Sequence, residues 1–448
     1  MSATEQTTLE SVESFRERAA AWIPGHLPKV GATGNDNPVT RRLVEQGLDP
    51  EDHVLRSKAL QGIISDGGFA GVAYPREYGG QGLTAQHMAA FNTECRGYDL
   101  SELGVFSMTF GMIGPTILEF GTEEQKERHV RGFLTGENIW VQFLSEPTGG
   151  SDLASVLTRA DRDGDEWVVN GSKIWTSLGE KGDYGLLVAR TDWEVPKHSG
   201  ISVFMCPVHV EGLEVTPLRL VTGQTGFCQE FFTDVRIPAD HQLGTLNDGW
   251  TVASRLLVHE RNSVGGGSQY WAQPFSGMRG EAGTGAGDPA PVESGGSRRD
   301  DLVELADAAG KAKDPYTRQL VAEAYVTGRV GSQLGPRVAR AMGKGVLSPS
   351  AGSFLKLFNS SNQVRRSDIQ MAIAGTPAVV WEADDRASEG RGLGYLFRQA
   401  GSILSGTSEI QRNIISERVL GLPREPSLDS KVPFNQVRHN AMSGPKDS

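Results

Sequence analysis

Val156-Leu-Thr-Arg-Ala-Asp-Arg-Asp-Gly-Asp-Glu-Trp-Val-Val-Asn-Gly-Ser-Lys-Ile-Trp-Thr-Ser177 is the stretch that decides how the chain is built. Asp163-Gly164 and Asn170-Gly171 are both two-residue turn signals, because these residue pairs tolerate the positive φ that a tight hairpin demands. Strand-forming residues flank each, so the stretch predicts a meander of Val156–Asp161, Glu166–Val169 and Lys173–Ser177. Further short strands are expected at Tyr184–Ala189, Ile201–Pro207, Leu213–Pro217 and Glu230–Ile237, after a strand-like segment ending at Leu144. Residues 139–245 therefore predict a compact middle β domain of barrel or sandwich type.

The pattern changes on both sides. Upstream, in residues 1–138, apolar residues recur at three and four in Leu55–Ala59–Ile63–Ile64 and in Met112–Ile113–Ile117–Leu118, the spacing of helices packed on one face. The glycines and proline of Gly71–Gly82 interrupt them with a loop. Thr122 is placed to cap a helix, with Gln125 reaching back to its amide. Downstream, helical periodicity returns after Asp248-Gly249-Trp250 and runs to about Leu420, so residues 246–422 predict a helical bundle. Phe275–Ser297, rich in Gly, Ala, Pro and Ser, reads as a flexible insertion, and 423–448 as an extended or disordered tail. The fold class is thus α+β, helices before and after a β domain.

The 448 residues carry a formal net charge of −11, which disfavours wrapping nucleic acid or docking on anionic lipid. Cys95, Cys206 and Cys228 lie far apart, without metal-ligand or redox spacing, and read as packed thiols. The N-terminus has no apolar core of a secretory signal, and no run of about 18 apolar residues occurs, so a cytoplasmic protein with no membrane span is expected.

Three short clusters have chemical potential. Glu146-Pro-Thr-Gly-Gly-Ser-Asp152 follows a strand, and its glycines let backbone amides approach a ligand while Ser151 adds a hydroxyl. Trp175-Thr-Ser177 ends the meander with a flat aromatic face and two hydroxyls, which suits a planar cofactor. Ser405-Gly-Thr-Ser-Glu-Ile-Gln411 is a break, a cap and a helix start, which suits electron-rich atoms. Taken singly, these are also the marks of a glycine turn, a core tryptophan and a well-capped helix.

Together, and in this order, they resemble the acyl-CoA dehydrogenase family. The Pro75–Gly82 loop, Gly121-Thr-Glu-Glu-Gln-Lys126, Asn170-Gly-Ser-Lys-Ile-Trp175, Phe231-Phe-Thr-Asp-Val-Arg-Ile-Pro238 and Gly406-Thr-Ser-Glu-Ile-Gln-Arg412 support the resemblance, which spans about Asp66–Leu422. It implies an FAD-dependent oxidoreductase that dehydrogenates an acyl-CoA thioester to the 2-enoyl-CoA in lipid degradation. It also implies a homodimer or homotetramer reoxidised by an electron-transferring flavoprotein. By the resemblance Leu144, Ser145, Trp175 and Ser177 line the flavin ring. Gly150 and Ser151 lie near cofactor and thioester, and Thr407 and Glu409 contact FAD.

Three departures matter. Most relatives carry the catalytic glutamate where this chain has Ser405; a minority carry it on the first helix of the C-terminal domain, a position that matches Glu260. Arg261 beside it then matches a coenzyme A contact, and His259 a bystander. The usual Arg-x-x-Phe-Gly segment is replaced by Gly277–Ser297, with Arg298 and Arg299 only beyond it. The usual Gln-x-x-Gly-Gly-x-Gly becomes Ala372-Ile-Ala-Gly-Thr-Pro-Ala378. Two other readings follow from these departures and from the shared fold: a non-catalytic partner subunit of a hetero-oligomer, and a flavin-dependent oxidase or monooxygenase.

Overall fold

The computed structural model describes residues 9–264, 270, 301–382, 385–427 and 429–437. The N-terminal region holds helices α1 (Val12–His26), α2 (Pro38–Glu45), α3 (His53–Asp66), α4 (Ala85–Glu94), α5 (Gly114–Phe120) and α6 (Glu123–Leu134). Their starts are written in the sequence. The Asn37 side chain accepts from the amides of Val39 and Thr40 with Pro38 as first residue, and Asp52 accepts from Val54 and Leu55. Thr122 and Gln125 form the expected reciprocal cap. Gln125 also reaches outward. Its amide nitrogen donates to the carbonyls of Asp240 (2.6 Å) and Gln242 (2.8 Å), tying α6 to the β domain.

The helical stretch Ser101–Phe120 is apolar enough by length and composition to cross a membrane, with a mean hydropathy of 1.4. Small and polar residues interleave its apolar ones, so no unbroken apolar run announces it in the sequence. Two-thirds of the window is buried inside the protein (67%), which marks it as a core helix. A π turn at Thr109–Ile113 lies within it.

The middle region is one sheet of eight strands: β1 (Trp140–Phe143), β2 (Arg159–Asp163), β3 (Glu166–Ser177), β4 (Tyr184–Arg190), β5 (Ile201–Pro207), β6 (Leu213–Leu218), β7 (Phe227–Pro238) and β8 (Gln242–Leu243). The order is β6-β7-β3-β2-β4-β5-β8, and β1 pairs in parallel with β4. The Asp163-Gly164 hairpin forms as the sequence predicts. The Asn170-Gly171 hairpin does not, and the chain instead runs straight on as a strand of 12 residues. β7 explains why. It offers an antiparallel partner of equal length, and the Asn-Gly pair is absorbed as a register shift between Val169 and Gly171. Asn170 and Asp234 exchange hydrogen bonds of 2.9 Å across that shift, and Gly171 sits against Thr158 where a Cβ would clash at 2.7 Å.

The C-terminal helices are α7 (Gly249–Val264), α8 (Asp301–Ala308), α9 (Pro315–Gly343), α10 (Gly352–Ala374), α11 (Arg386–Phe397) and α12 (Ser408–Ile414). The expected flexible insertion lies outside the described residues. Of the expected tail, residues 423–427 and 429–437 are described; they hold no long element, and Phe434 among them is fully buried.

Candidate active site

The first part of the site is built on β1 and β3. Ile174 N donates to Ser145 O at 2.9 Å, which brings the end of β1 against the bulge of β3. That bulge, a register shift between Ile174 and Thr176, puts Trp175 at φ 69° and leaves the residue 52% exposed. A left-handed tryptophan is a costly conformation, of order 1–3 kcal/mol. Half-buried Ser177 follows it, and the exposed Gly150 lies with its Cα face toward the Ser145 hydroxyl. Leu144, Ser145, Gly150, Trp175 and Ser177 are therefore neighbours, with Ser151 exposed on the adjoining loop.

What fixes this loop is a buried ion pair that the sequence did not single out. Lys173 Nζ lies 2.8 Å from Glu146 Oε1 and 3.0 Å from Leu144 O, and the pair is almost wholly buried. Burial pushes the Glu146 carboxyl up, but the Lys173 ammonium and the amides of Leu157 and Thr158 outweigh it and hold it below its ordinary value. Glu230, cross-strand from Lys173, accepts from Thr176 Oγ1 at 2.8 Å, while its other oxygen is buried with no hydrogen-bond partner among the described residues. Burial pushes Glu230 up to about 7. Alternation along β3 is the one signal that points to Lys173 as inward-facing.

The second part joins α7 to the turn before α12. Ser405 (φ 56°) and Gly406 (φ 85°) make a left-handed break, and buried Gln411 donates to both their carbonyls at 3.3 and 3.1 Å. Thr407 caps α12 by accepting from Ile410 N at 3.2 Å; Glu409 is exposed in its first turn. The break brings the Ser405 hydroxyl beside the Glu260 carboxyl. Burial pushes Glu260 up, and the Ser405 donor, Arg261 and Lys356 offset this only in part. Arg261 is itself shifted down by burial, with the cation of Arg418 near it. His259 faces away, 3.0 Å from Glu119 on α5, which also pairs with Arg255. The structure thus brings Glu260, Arg261 and Ser405 into one cluster. Thr407 and Glu409 lie just beyond it.

Matches to known families follow this division. Residues 39–137 match the acyl-CoA dehydrogenase N-terminal domain, 142–235 its middle domain and 303–420 its C-terminal domain. Acyl-CoA dehydrogenase IpdE1 of Mycobacterium tuberculosis is 32% identical over 93% of this chain and 99% of its own length. Among solved structures, the Tcur3481-Tcur3483 steroid ACAD superposes with a TM-score of 0.67 at 26% identity, covering 95% of this chain and 100% of that one. The ChsE4-ChsE5 complex of M. tuberculosis gives 0.63 at 25% identity, covering 94% and 100%. The chain belongs to the acyl-CoA dehydrogenase family of flavoprotein oxidoreductases.

Proposed function

We propose that this chain removes the α- and β-hydrogens of an acyl-CoA thioester to give the 2-enoyl-CoA, with FAD as cofactor and Glu260 as base. The observation that carries the reading is Glu260 itself, a half-buried carboxylate on α7 beside Ser405, the residue that stands where most relatives keep their glutamate. An α-hydrogen beside a thioester carbonyl is weakly acidic, so it needs a carboxylate whose proton affinity is raised. Glu260 takes that proton on a carboxyl oxygen, Ser405 keeps the carboxyl aimed, and Arg261 meets the coenzyme A portion.

The β1–β3 cluster fits a flavin ring. It presents a large aromatic face left half exposed beside the hydroxyls of Ser145 and Ser177. Leu144, Ser145, Trp175 and Ser177 would line that ring, Gly150 and Ser151 would meet ring and thioester, and Thr407 and Glu409 would contact the rest of FAD. When bound, FAD supplies the acceptor for the hydride that leaves the β-carbon. Reoxidation falls to an electron-transferring flavoprotein.

The test is anaerobic. The purified protein, titrated with a panel of acyl-CoA thioesters, should bleach its flavin band near about 450 nm, and Glu260→Gln should keep the flavin but not bleach. Among the thioesters we favour bulky, polycyclic acyl groups. The base on α7 and the small serine at 405 support this, as does the steroid class by which the related Tcur3481-Tcur3483 ACAD is named. Faster bleaching by straight-chain than by steroid-derived thioesters would overturn that choice.

A second reading concerns assembly. Tyr325, Val326 and Val330 on α9, and Val379, Val380, Ile403 and Leu420 in the segments between and after the later helices, are exposed apolar residues of the C-terminal region. Two related structures are named as pairs of different chains. A hetero-oligomer with a second, similar chain is therefore the alternative to a homo-oligomer. Flavin content and mass of the protein purified alone decide between them: a colourless or monomeric product favours the hetero-oligomer.

A further inference from the structure

The matched C-terminal domain ends at residue 420, yet the chain continues and returns to the β domain. Phe434 is fully buried there. Its ring lies under the Arg190 guanidinium at 3.6 Å and beside Trp193 at 5.5 Å. The backbone is fixed as well: Phe434 N donates to Val195 O at 2.9 Å and Asn435 N to Trp193 O at 2.8 Å. A desolvated aromatic with a cation on its face and two backbone hydrogen bonds is an anchored contact, unlike a frayed terminus.

Two links run from this anchor to the ligand loop. Lys197, 9% exposed, donates 2.7 Å to Asp429 Oδ2 and 3.0 Å to both oxygens of Asp152, the last residue of the loop Glu146–Asp152. Arg190, whose face carries Phe434, donates to Ala154 O (2.6 Å), Val156 O (3.2 Å) and Lys197 O (3.0 Å). The residues that receive the tail are therefore those that hold the loop and the segment after it. Glu146 and Lys173 fix the loop's near end; Lys197 fixes its far end and needs Asp429 as second counter-charge.

We propose that Asp429–Val437 is a strap that positions the Glu146–Asp152 loop for the acyl-CoA thioester, with Lys197 and Asp429 as its positioning residues. This rests on the reading that the loop faces flavin and thioester. Removing the clasp frees the loop end, so ligand must order it on binding, and affinity falls while the proton-abstracting groups on α7 stay in place.

The experiment uses the full-length, flavin-loaded protein with Asp429→Asn, Asp429→Glu and Phe434→Ala. Hydrogen exchange of the 146–158 amides is measured beside KM and kcat. Asp429→Asn should speed exchange in the loop and raise thioester KM about tenfold with kcat within about twofold. Asp429→Glu should restore both, and Phe434→Ala should reproduce the defect. Unchanged loop exchange in Asp429→Asn and Phe434→Ala overturns the strap. Faster exchange with unchanged KM also overturns the proposal, and does so by removing the loop from the ligand site, so the two failures are told apart.

Discussion

The Ser405 hydroxyl lies beside the Glu260 carboxyl and lowers its proton affinity, joining the turn before α12 to the last turns of α7. Serine holds that place at φ 56°, where glycine would be free of strain. The side chain, not the backbone, is what the position retains. On the proposed reading, a serine there does not remove the base from the fold; it sets a hydroxyl beside a base that comes from another helix.

The pairing sets a pH dependence. As the proposed base, Glu260 works as a carboxylate, so flavin bleaching should speed up as pH rises through its folded pKa, which burial holds above the ordinary value and Ser405 pulls back. Ser405→Gly relieves the backbone and removes the donor, so the profile should move to higher pH. At a pH on the rising limb the variant should be slower by about tenfold, the scale of one hydrogen bond to a charged group. At high pH the two should converge. Anaerobic stopped-flow across pH reads both limbs.

The same burial makes Glu260 costly to the fold. A carboxyl whose folded pKa is raised contributes its stability below the unfolded value and loses it as pH rises through the folded one. Gln cannot ionise. Glu260→Gln should therefore melt roughly 2 °C or more above the parent near neutral pH, with the gain vanishing in acid. Scanning calorimetry at several pH values checks it.

The alternation of strands and helices was legible because it depends on local pattern, and so was the Thr122–Gln125 cap. Asn170-Gly171 misled for a reason outside its own neighbourhood: β7 pairs along the whole of β3 and turns a hairpin signal into a bulge. Ser405 read as a loss because its partner is remote in sequence, and only the packing of α7 on the helices after it brings the two together. Glu146 and Lys173 stand in two of the quoted stretches, but their pairing, and Glu230 across from Lys173, went unread because it depends on how the strands align. Phe434 sits in a polar, proline-containing stretch whose composition says tail, while the pocket that receives it is made by Arg190 and Trp193.

Glu230 gives a prediction of its own. Its carboxyl titrates near 7 because it is buried with one oxygen unpartnered among the described residues. Its stability contribution is complete below the unfolded value and is lost as pH rises through about 7. The loss amounts to about 3 kcal/mol over that window. Glu230→Gln should flatten the fall in denaturant midpoint between mildly acidic and alkaline pH and leave the acidic value nearly unchanged. A variant that loses stability equally at every pH would show that Thr176 needs the carboxylate itself.

Lys173 is the more severe test, because it is the cation between two buried carboxyls. Removing one partner of a buried pair strands the other charge, at about 3–5 kcal/mol. Lys173→Met should therefore lower stability by that scale and release the end of β1 from the bulge at Trp175, with weaker flavin retention. Burial lowers the Lys173 pKa as well, but Glu146 and Glu230 oppose that shift, and Glu146 is the carboxyl it bonds directly. The double variant Lys173→Met with Glu146→Gln removes the stranded charge, so it should recover much of the stability. It should not recover flavin retention, since the 2.6 and 2.9 Å bonds from Leu157 and Thr158 require a full carboxylate to hold the loop. Recovery of both would mean that the pair shapes the fold without shaping the site; urea titration and the ratio of flavin to protein absorbance separate these outcomes.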